Sequence, residues 1–234
     1  FIDDLKNVSL GLRLFFQIFC VMSSMILLKD DFSFYFNSLE ITGWAENYFE
    51  IIKVLILFLF MIFWIWIINL FNFMDGMDGI TVVQGSSFSI CLNFLAMLGL
   101  IEINFLYVSL IMLGVLTAFF SVNKPPSKLF LGDVGSIPIG FLAGYFIIYN
   151  TVKSDLFIPF IIVIMYYLLD SSITLIIRFI KKENIFKAHS SHFYQKVIRK
   201  GFSHNYVLKK IFILNIVLLF LSYTSINWPM ISII

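Results

Sequence analysis

Four side chains that carry amide or carboxylate oxygens lie within ten residues in the first half of the chain: Asn69, Asn72, Asp75 and Asp78. Both aspartates are followed by a glycine, which lets a ligand approach the backbone closely. Such oxygens suit Mg²⁺, which proteins usually hold with one or two carboxylates together with substrate phosphates. The spacing therefore indicates a site for Mg²⁺ and phosphate rather than an ordinary turn.

A second candidate site is the run Gly132-Asp133-Val134-Gly135-Ser136, which is predicted to open a helix. Backbone amides at a helix N-terminus bind anions, and Asp133 is predicted to hold the metal ion that bridges such an anion. Asp3 and Asp4 form a third carboxylate cluster, for which a favourable interaction with a helix dipole is the alternative explanation.

Three histidines, His189, His192 and His204, lie in a strongly basic stretch near the end of the chain. Their alternative role is a basic surface against anionic lipid headgroups. No cysteine or carboxylate stands near them at zinc-ligand spacing, and the other candidate ligands are hard oxygens. The predicted metal is therefore Mg²⁺, with Mn²⁺ as the alternative.

Asp170 is an ionisable residue inside an apolar run, two helical turns before Arg178. A charge at such a position is by default functional or paired. A hydrogen bond to Tyr167 or Ser171 is the simpler alternative.

The composition decides which elements position these residues. Of the 234 residues, 60% are hydrophobic and only 13% are charged, against about 25% charged in globular proteins. A soluble enzyme is excluded, and nucleic acid is not expected as a partner. Seven runs approach the twenty residues that cross a bilayer: 9–28, 50–68, 80–100, 103–121, 135–151, 156–178 and 207–226. Their uniform apolarity predicts helices rather than barrel strands, and hence an all-α polytopic membrane protein.

The basic residues are distributed unequally between the two sides of such a seven-span protein. Thirteen of the sixteen lie on the side that holds residues 1–8, 69–79, 122–134 and 179–206, whereas Lys29, Lys53 and Lys153 lie opposite. The positive-inside rule makes the richer side cytoplasmic. Every unusual polar cluster falls on that side, which predicts a single active site at the cytoplasmic face.

At this point the residues resemble a known family, the polyprenyl-phosphate N-acetylhexosamine-1-phosphate transferases of glycosyltransferase family 4. Four motifs carry the resemblance in order: Asp3-Asp4, Asn69-x-x-Asn72-x-x-Asp75-Gly76-x-Asp78-Gly79, Pro125-Pro126-x-Lys128-x-Phe130-x-Gly132-Asp133-x-Gly135-Ser136 and Ala188-His189-Ser190-Ser191-His192-Phe193-Tyr194-Gln195. The resemblance implies transfer of a sugar 1-phosphate from a UDP-amino sugar to a membrane polyprenyl phosphate, with Mg²⁺ and release of UMP.

The resemblance also implies a role for each matching residue. Asp133 corresponds to the Mg²⁺ ligand, with Asp75 beside it, and Phe130 to the aromatic residue that stacks on uracil. Asn72, Asp75 and Gly76 lie at the ribose and phosphate end, whereas Met77, Asp78 and Asn123 line the uracil pocket. The implied catalytic residues are Asp3, Asp4, Asp75, Asp78, His189 and His192, with the aspartate pair receiving the lipid phosphate and the histidines near the pyrophosphate.

Two departures from the peptidoglycan branch of the family, which handles UDP-MurNAc-pentapeptide, favour another branch. Ser190 and Ser191 interrupt that branch's triple histidine, and Asn7 stands where it has a lysine. The expected branch initiates O-antigen and other lipopolysaccharide, common-antigen, capsule or teichoic acid synthesis in a bacterial inner membrane. The whole chain, 1–234, is interpreted as one transferase domain, N-terminally truncated, for which a homodimer is one option.

Three rival functions differ in what they require. A transporter requires polar residues facing each other at mid-membrane, often on broken helices. A CDP-alcohol phosphotransferase requires Ala-Arg after its Asp-Gly motif, but Gly79-Ile80 follows Asp78 here. The MurNAc-pentapeptide transferase stays as the alternative within the family.

Overall fold

The computed structural model describes residues 9–39, 48–184 and 190–227, which form helices and no strand. In chain order the helices are α1 (Leu10–Leu27), α2 (Lys29–Ser38), α3 (Phe49–Met74), α4 (Ile80–Met97), α5 (Asn104–Asn123), α6 (Gly132–Ser154), α7 (Phe157–Val163), α8 (Met165–Ile180), α9 (Phe193–Arg199) and α10 (His204–Asn227).

Five of these helices, α3, α4, α5, α6 and α10, are long and apolar enough to cross a membrane on their own. Two bent pairs bring the number to seven if each pair counts as one span: α1 with α2, at 65°, and α7 with α8, at 71°. Exposed apolar side chains cover the outer faces of the helices, as expected of a surface that lipid surrounds. The prediction of an all-α polytopic membrane protein is confirmed.

The boundaries differ from the predicted spans where polar residues continue a helix. Helix α3 extends six residues beyond the predicted end at 68, because the amides of Asn69 and Asn72 find acceptors at the helix surface. Helix α6 begins at Gly132 rather than at 135 and has Asp133 in its first turn, where a carboxylate is favoured by the helix dipole. The prediction of a loop at 69–79 therefore holds only for residues 75–79.

Helices α3 and α6 make the most extensive helix–helix contact among the described residues. A Cβ atom added at Gly140 would lie 2.9 Å from the Cα atom of Ile68, and one at Gly144 would lie 2.2 Å from the Trp64 ring. The indole N–H of Trp64 donates to the Phe141 carbonyl oxygen at 2.9 Å. Absent side chains on α6 thus let the backbones approach, as small residues do between membrane helices.

The break between α7 and α8 falls at Ile164, inside the bundle. The side-chain amide of Gln84 on α4 donates to the Val163 carbonyl oxygen at 3.0 Å. A backbone carbonyl that the broken helix leaves without a helical partner is thereby satisfied, as the interior of a membrane protein requires.

Candidate active site

Asp75 and Asp133 lie close together at one end of the bundle. Asp75 follows the last residue of α3, and Asp133 lies in the first turn of α6. Burial is the main cause that raises the pKa of Asp75 to about 7; contacts with the Thr81 side chain and the Gly132 backbone oppose the shift, and the negative charge of Asp133 adds a smaller increase. A buried carboxyl group with a raised pKa beside a second carboxyl group is typical of a site that gains from a bound cation.

Asp133 has two further partners that fix its position. The Asn72 side-chain amide donates to its Oδ1 atom at 2.6 Å, and the Arg13 guanidinium on α1 contacts its Oδ2 atom at 3.1 Å. The same Asn72 amide lies 3.2 Å from the buried Ser136 hydroxyl. Three helices that are distant in sequence, α1, α3 and α6, therefore meet at the Asp133 carboxylate.

Asp78 has a different environment, although it lies only three residues after Asp75. It accepts hydrogen bonds from the Ser127 hydroxyl at 2.8 Å and from the Ser127 amide at 3.2 Å. The Nδ1 atom of His204, at the start of α10, lies 3.4 Å from its Oδ2 atom. Asp78 thus connects the loop after α3 to the loop after α5 and to the start of α10.

Asn123 makes a second connection between the same two loops. Its side-chain oxygen accepts from the Gly79 amide at 2.9 Å, and its amide donates to the Leu129 carbonyl oxygen at 2.8 Å. Gly79 has a φ of 75°, a left-handed conformation that glycine adopts easily. Asn123 is buried, as is Met77 in the hydrophobic core, whereas the Phe130 side chain is 74% exposed.

Asp170 and His192 form a buried pair beside this end of the bundle. The Nδ1 atom of His192 lies 3.1 Å from the Asp170 Oδ1 atom, which also accepts from the Phe193 amide at 3.0 Å. The two side chains therefore share a hydrogen bond inside the bundle. Asp170 on α8 thereby fixes the start of α9.

Tyr194 extends this arrangement to the loop that carries Asp75. Its ring stacks on the His192 ring, with centroids 5.9 Å apart, and its hydroxyl would lie 2.3 Å from a Cβ atom at Gly76. Burial, and with it the charges of Asp170 and Asp75, raise the pKa of the Tyr194 hydroxyl, which therefore stays protonated. Gly76 has no side chain where Tyr194 contacts the loop.

An apolar groove begins beside Asp133, with a volume of about 680 Å³. Its walls include Leu12 and Phe16 of α1 and Phe141 of α6, and Arg13 also lines it. Because Arg13 contacts Asp133 as well, one end of the groove adjoins the carboxylate pair. The groove can hold an apolar chain whose charged end lies at Arg13.

The comparison with known proteins decides the family. The model of glycosyl transferase family 4 matches residues 1–151, which is more than half of the chain. The chain belongs to glycosyl transferase family 4. A protein of Methanocaldococcus jannaschii named "Putative glycosyltransferase MJ1113" is 44% identical over 52 residues, which cover 22% of this chain and 16% of that protein.

Membership in glycosyl transferase family 4 supports a membrane glycosyltransferase, whose charged substrate would contact the polar side chains of this site. Within residues 9–39, 48–184 and 190–227, no group of three or more His, Cys, Asp or Glu side chains could hold a metal ion. Two carboxylates, Asp75 and Asp133, nevertheless fit Mg²⁺, because this ion commonly takes its remaining ligands from water and substrate phosphates. The cost of burying the Asp75 charge beside a second carboxylate is what a cation would relieve.

The structure brings together most of the predicted site residues that it describes. Asn72, Asp75 and Asp133 form one cluster, and Asp78 and Asn123 hold the adjoining loops. Asp3, Asp4 and His189 lie outside the described residues.

Sequence reasoning missed two residues that contact the predicted ones. The signal that identified Asp170 also applies to Arg13, since Arg13 too is a charged residue within an apolar run. Tyr194 lies within the histidine motif but drew no attention, because its significance depends on contact with Gly76, 118 positions earlier.

Proposed function

We propose that the chain transfers an N-acetylhexosamine 1-phosphate from a UDP-sugar to a polyprenyl phosphate and releases UMP. The observation that carries this proposal is the meeting of Asp75 and Asp133 beside an apolar groove that Arg13 also lines. The carboxylate pair suits a cation and a diphosphate, whereas the groove and the guanidinium suit a lipid phosphate. Family membership supports the glycosyltransferase class.

The reaction joins two anions, and the protein mainly has to position them. An oxygen of the lipid phosphate attacks the sugar-linked phosphorus, and the bond from that phosphorus to the bridging oxygen breaks, so UMP leaves with the electron pair. Arg13 would orient the lipid phosphate, while Asp75 and Asp133 would hold Mg²⁺. When bound, Mg²⁺ offsets charge on the diphosphate. The attacking oxygen is already ionised at neutral pH, so a strong general base is not required.

The remaining assignments belong to the same proposal. The exposed ring of Phe130 is free of close packing on most of its surface and suits stacking on uracil. Asn72 orients Asp133, whereas Met77, Asp78 and Asn123 support the loops around the nucleotide. His192 acts near the diphosphate, with Asp3, Asp4 and His189 as further catalytic residues.

The branch and the location are also proposed. The interrupted histidines at Ser190 and Ser191 favour an enzyme that initiates O-antigen or related envelope polymers over the MurNAc-pentapeptide transferase. The distribution of basic residues favours a cytoplasmic site in a bacterial inner membrane. The transporter alternative has less support, because the buried Asp170 pairs with His192 and the Phe193 amide.

The test supplies membranes containing the protein with undecaprenyl phosphate and a panel of UDP-sugars, and measures UMP release. We expect release with at least one N-acetylhexosamine donor, dependent on both Mg²⁺ and the lipid. Asp133→Asn keeps the volume but removes the charge, so turnover should fall about 100-fold or more.

Glu50→Gln is the matched control, since it removes an exposed carboxylate at the opposite end of the bundle, where Glu50 pairs with Lys53. It should retain full turnover. Absence of UMP release with every donor would contradict the proposed reaction. Unchanged turnover in Asp133→Asn would contradict the role of Asp133 alone.

A further inference from the structure

A surface of exposed aromatic and basic side chains lies on α9 and the start of α10. We call it the aromatic–basic surface and define it by Phe193, Lys196, Lys200, Phe202, Tyr206 and Lys210. The three aromatic side chains are between 42% and 47% exposed, and all three lysines are exposed. Such exposure of large rings next to cations indicates a surface that something covers.

Five of the six residues contact another member of the surface, as one pair on α9 and a group of three at the start of α10. The Lys196 ammonium lies 4.9 Å from the centre of the Phe193 ring, and the Lys210 ammonium lies 5.6 Å from the Tyr206 ring. Phe202 stacks on Tyr206, with centroids 5.1 Å apart. The Phe193 and Tyr206 rings therefore hold two of the three ammonium groups, since cations are attracted to aromatic faces.

The surface carries positive charge that the chain does not neutralise. Residues 190–227 contain no aspartate or glutamate, and none of the three lysines forms an ion pair within the part of the chain that the structure describes. Arg199 and Lys209 beside them are exposed as well. The occupant should therefore be anionic.

The rest of α10 indicates at which level of the membrane this surface lies. The face that begins with Tyr206 and Lys210 continues at helical spacing with Ile213, Val217 and Phe220, which are between 48% and 65% exposed. A long apolar stripe on a spanning helix faces lipid tails, so its polar beginning lies at the level of the headgroups. Lysines at this level attract anionic lipids.

We propose that the aromatic–basic surface binds anionic phospholipid headgroups of the bilayer leaflet at this end of the bundle. The opposite face of α9 holds Tyr194 against Gly76 and follows His192, which pairs with Asp170. Anionic lipid therefore holds α9 from outside while its inner face contacts the candidate active site. The consequence for turnover rests on the proposed function; the binding itself does not.

The test places nitroxide spin labels on the full chain in nanodiscs and measures their collision with oxygen and with a water-soluble nickel reagent. The label replaces Phe202 (Phe202→Cys) in a Cys20→Ala background, because Cys20 is exposed and Cys91 is buried. Ile213→Cys provides the lipid-facing reference and Lys124→Cys, in the loop after α5, provides a second position at the site end. The nanodiscs contain either phosphatidylcholine alone or a mixture with phosphatidylglycerol.

We expect the label at position 202 to shift towards the accessibility of the Ile213→Cys label when phosphatidylglycerol is present, while the Lys124→Cys label does not shift. Lys196→Gln with Lys200→Gln should abolish the shift. Lys124→Gln with Lys128→Gln, which removes the same charge at the same end of the bundle, should leave it intact.

Two outcomes would overturn the proposal. A label at position 202 that collides equally with the nickel reagent in both lipids would mean that the surface faces solution, as a docking site for a soluble partner would. Loss of the shift in both double variants would mean that only total charge matters. These readings need no substrate, so they stand if UMP release is never found; where it is found, it should rise with phosphatidylglycerol and lose that rise in Lys196→Gln with Lys200→Gln.

Discussion

The loop between α3 and α4 carries two aspartates whose surroundings differ sharply. Around Asp75, burial raises the pKa of the carboxyl group to about 7, with a smaller contribution from the charge of Asp133. Around Asp78, the hydroxyl and the amide of Ser127 donate hydrogen bonds, and the Nδ1 atom of His204 lies 3.4 Å away. The first environment gains from a ligand, whereas the second is already satisfied by the protein. One motif therefore contains a candidate reactive carboxylate and a candidate structural one.

Among the substitutions that test this difference between Asp75 and Asp78, Asp75→Asn should have the largest effect. The substitution keeps the shape but removes one of two charges available to Mg²⁺, so we expect Mg²⁺-dependent UMP release to fall about 100-fold or more. The melting temperature should not fall, because the substitution also removes the cost of burying the carboxylate charge. Turnover at the unsubstituted rate would show that Asp75 does not hold the metal.

The next effect concerns pH. With a pKa raised to about 7, the Asp75 carboxyl is largely protonated below that pH, and a proton must leave before the carboxylate binds a cation. The affinity for Mn²⁺, used as a spectroscopic probe for Mg²⁺, should therefore rise with pH up to about 7, by roughly tenfold per pH unit, and level off above it. Electron paramagnetic resonance would measure free Mn²⁺ directly. An affinity that stays constant from about two pH units below the pKa, near pH 5, up to about pH 7 would contradict a single titrating ligand.

A smaller effect is expected for Gly76→Ala, which tests the contact between helix α9 and the loop that carries Asp75 and Asp78. The new Cβ atom would lie 2.3 Å from the buried Tyr194 hydroxyl, and overpacking of this kind costs about 1–3 kcal/mol of stability. Tyr194→Phe in the same chain removes the oxygen and should recover most of that loss, as a double-mutant cycle of thermal stabilities would show. Gly114→Ala is the matched control, since nothing lies within 4 Å of its Cβ position. Equal losses with and without Tyr194→Phe would mean that the hydroxyl is not the obstacle.

The smallest effect is expected for Asp78→Asn. The asparagine oxygen still accepts from Ser127, so the change costs about 1 kcal/mol of stability, as the loss of one hydrogen bond does. Turnover should fall less than tenfold, about 1.4 kcal/mol. A stable Asp78→Asn protein as inactive as Asp75→Asn would erase the distinction and place Asp78 in contact with substrate.

Hydropathy predicted the spanning helices because lipid requires continuous apolar surface and internally satisfied backbone groups. It did not predict α2, whose sequence Lys29-Asp30-Asp31 starts like an outer loop, or the bend between α7 and α8. No proline or glycine stands at Ile164, and the Gln84 side chain reaches the bend from another helix. Tertiary contact, not local sequence, decides such a break.

The candidate site shows the same limit. Residue type and spacing selected Asn72, Asp75 and Asp133, since amides and carboxylates near glycines are rare in apolar chains. Spacing could not distinguish Asp75 from Asp78, because the difference depends on Ser127 and His204, which are distant in sequence. Oxygen-rich motifs reveal that a site exists, while the division of labour within it is a property of the packed molecule.

Gly140 and Gly144 have a consequence that reaches well beyond their own surroundings. They lie seven and eleven residues along α6 from Asp133, about 10 and 16 Å deeper in the bundle at the rise of an α-helix. Because they let α6 approach α3, they set the distance between the helix ends that carry Asp133 and Asn72. Inherited or engineered substitutions at these two apolar positions should therefore lower catalytic activity, although no reacting atom comes near them.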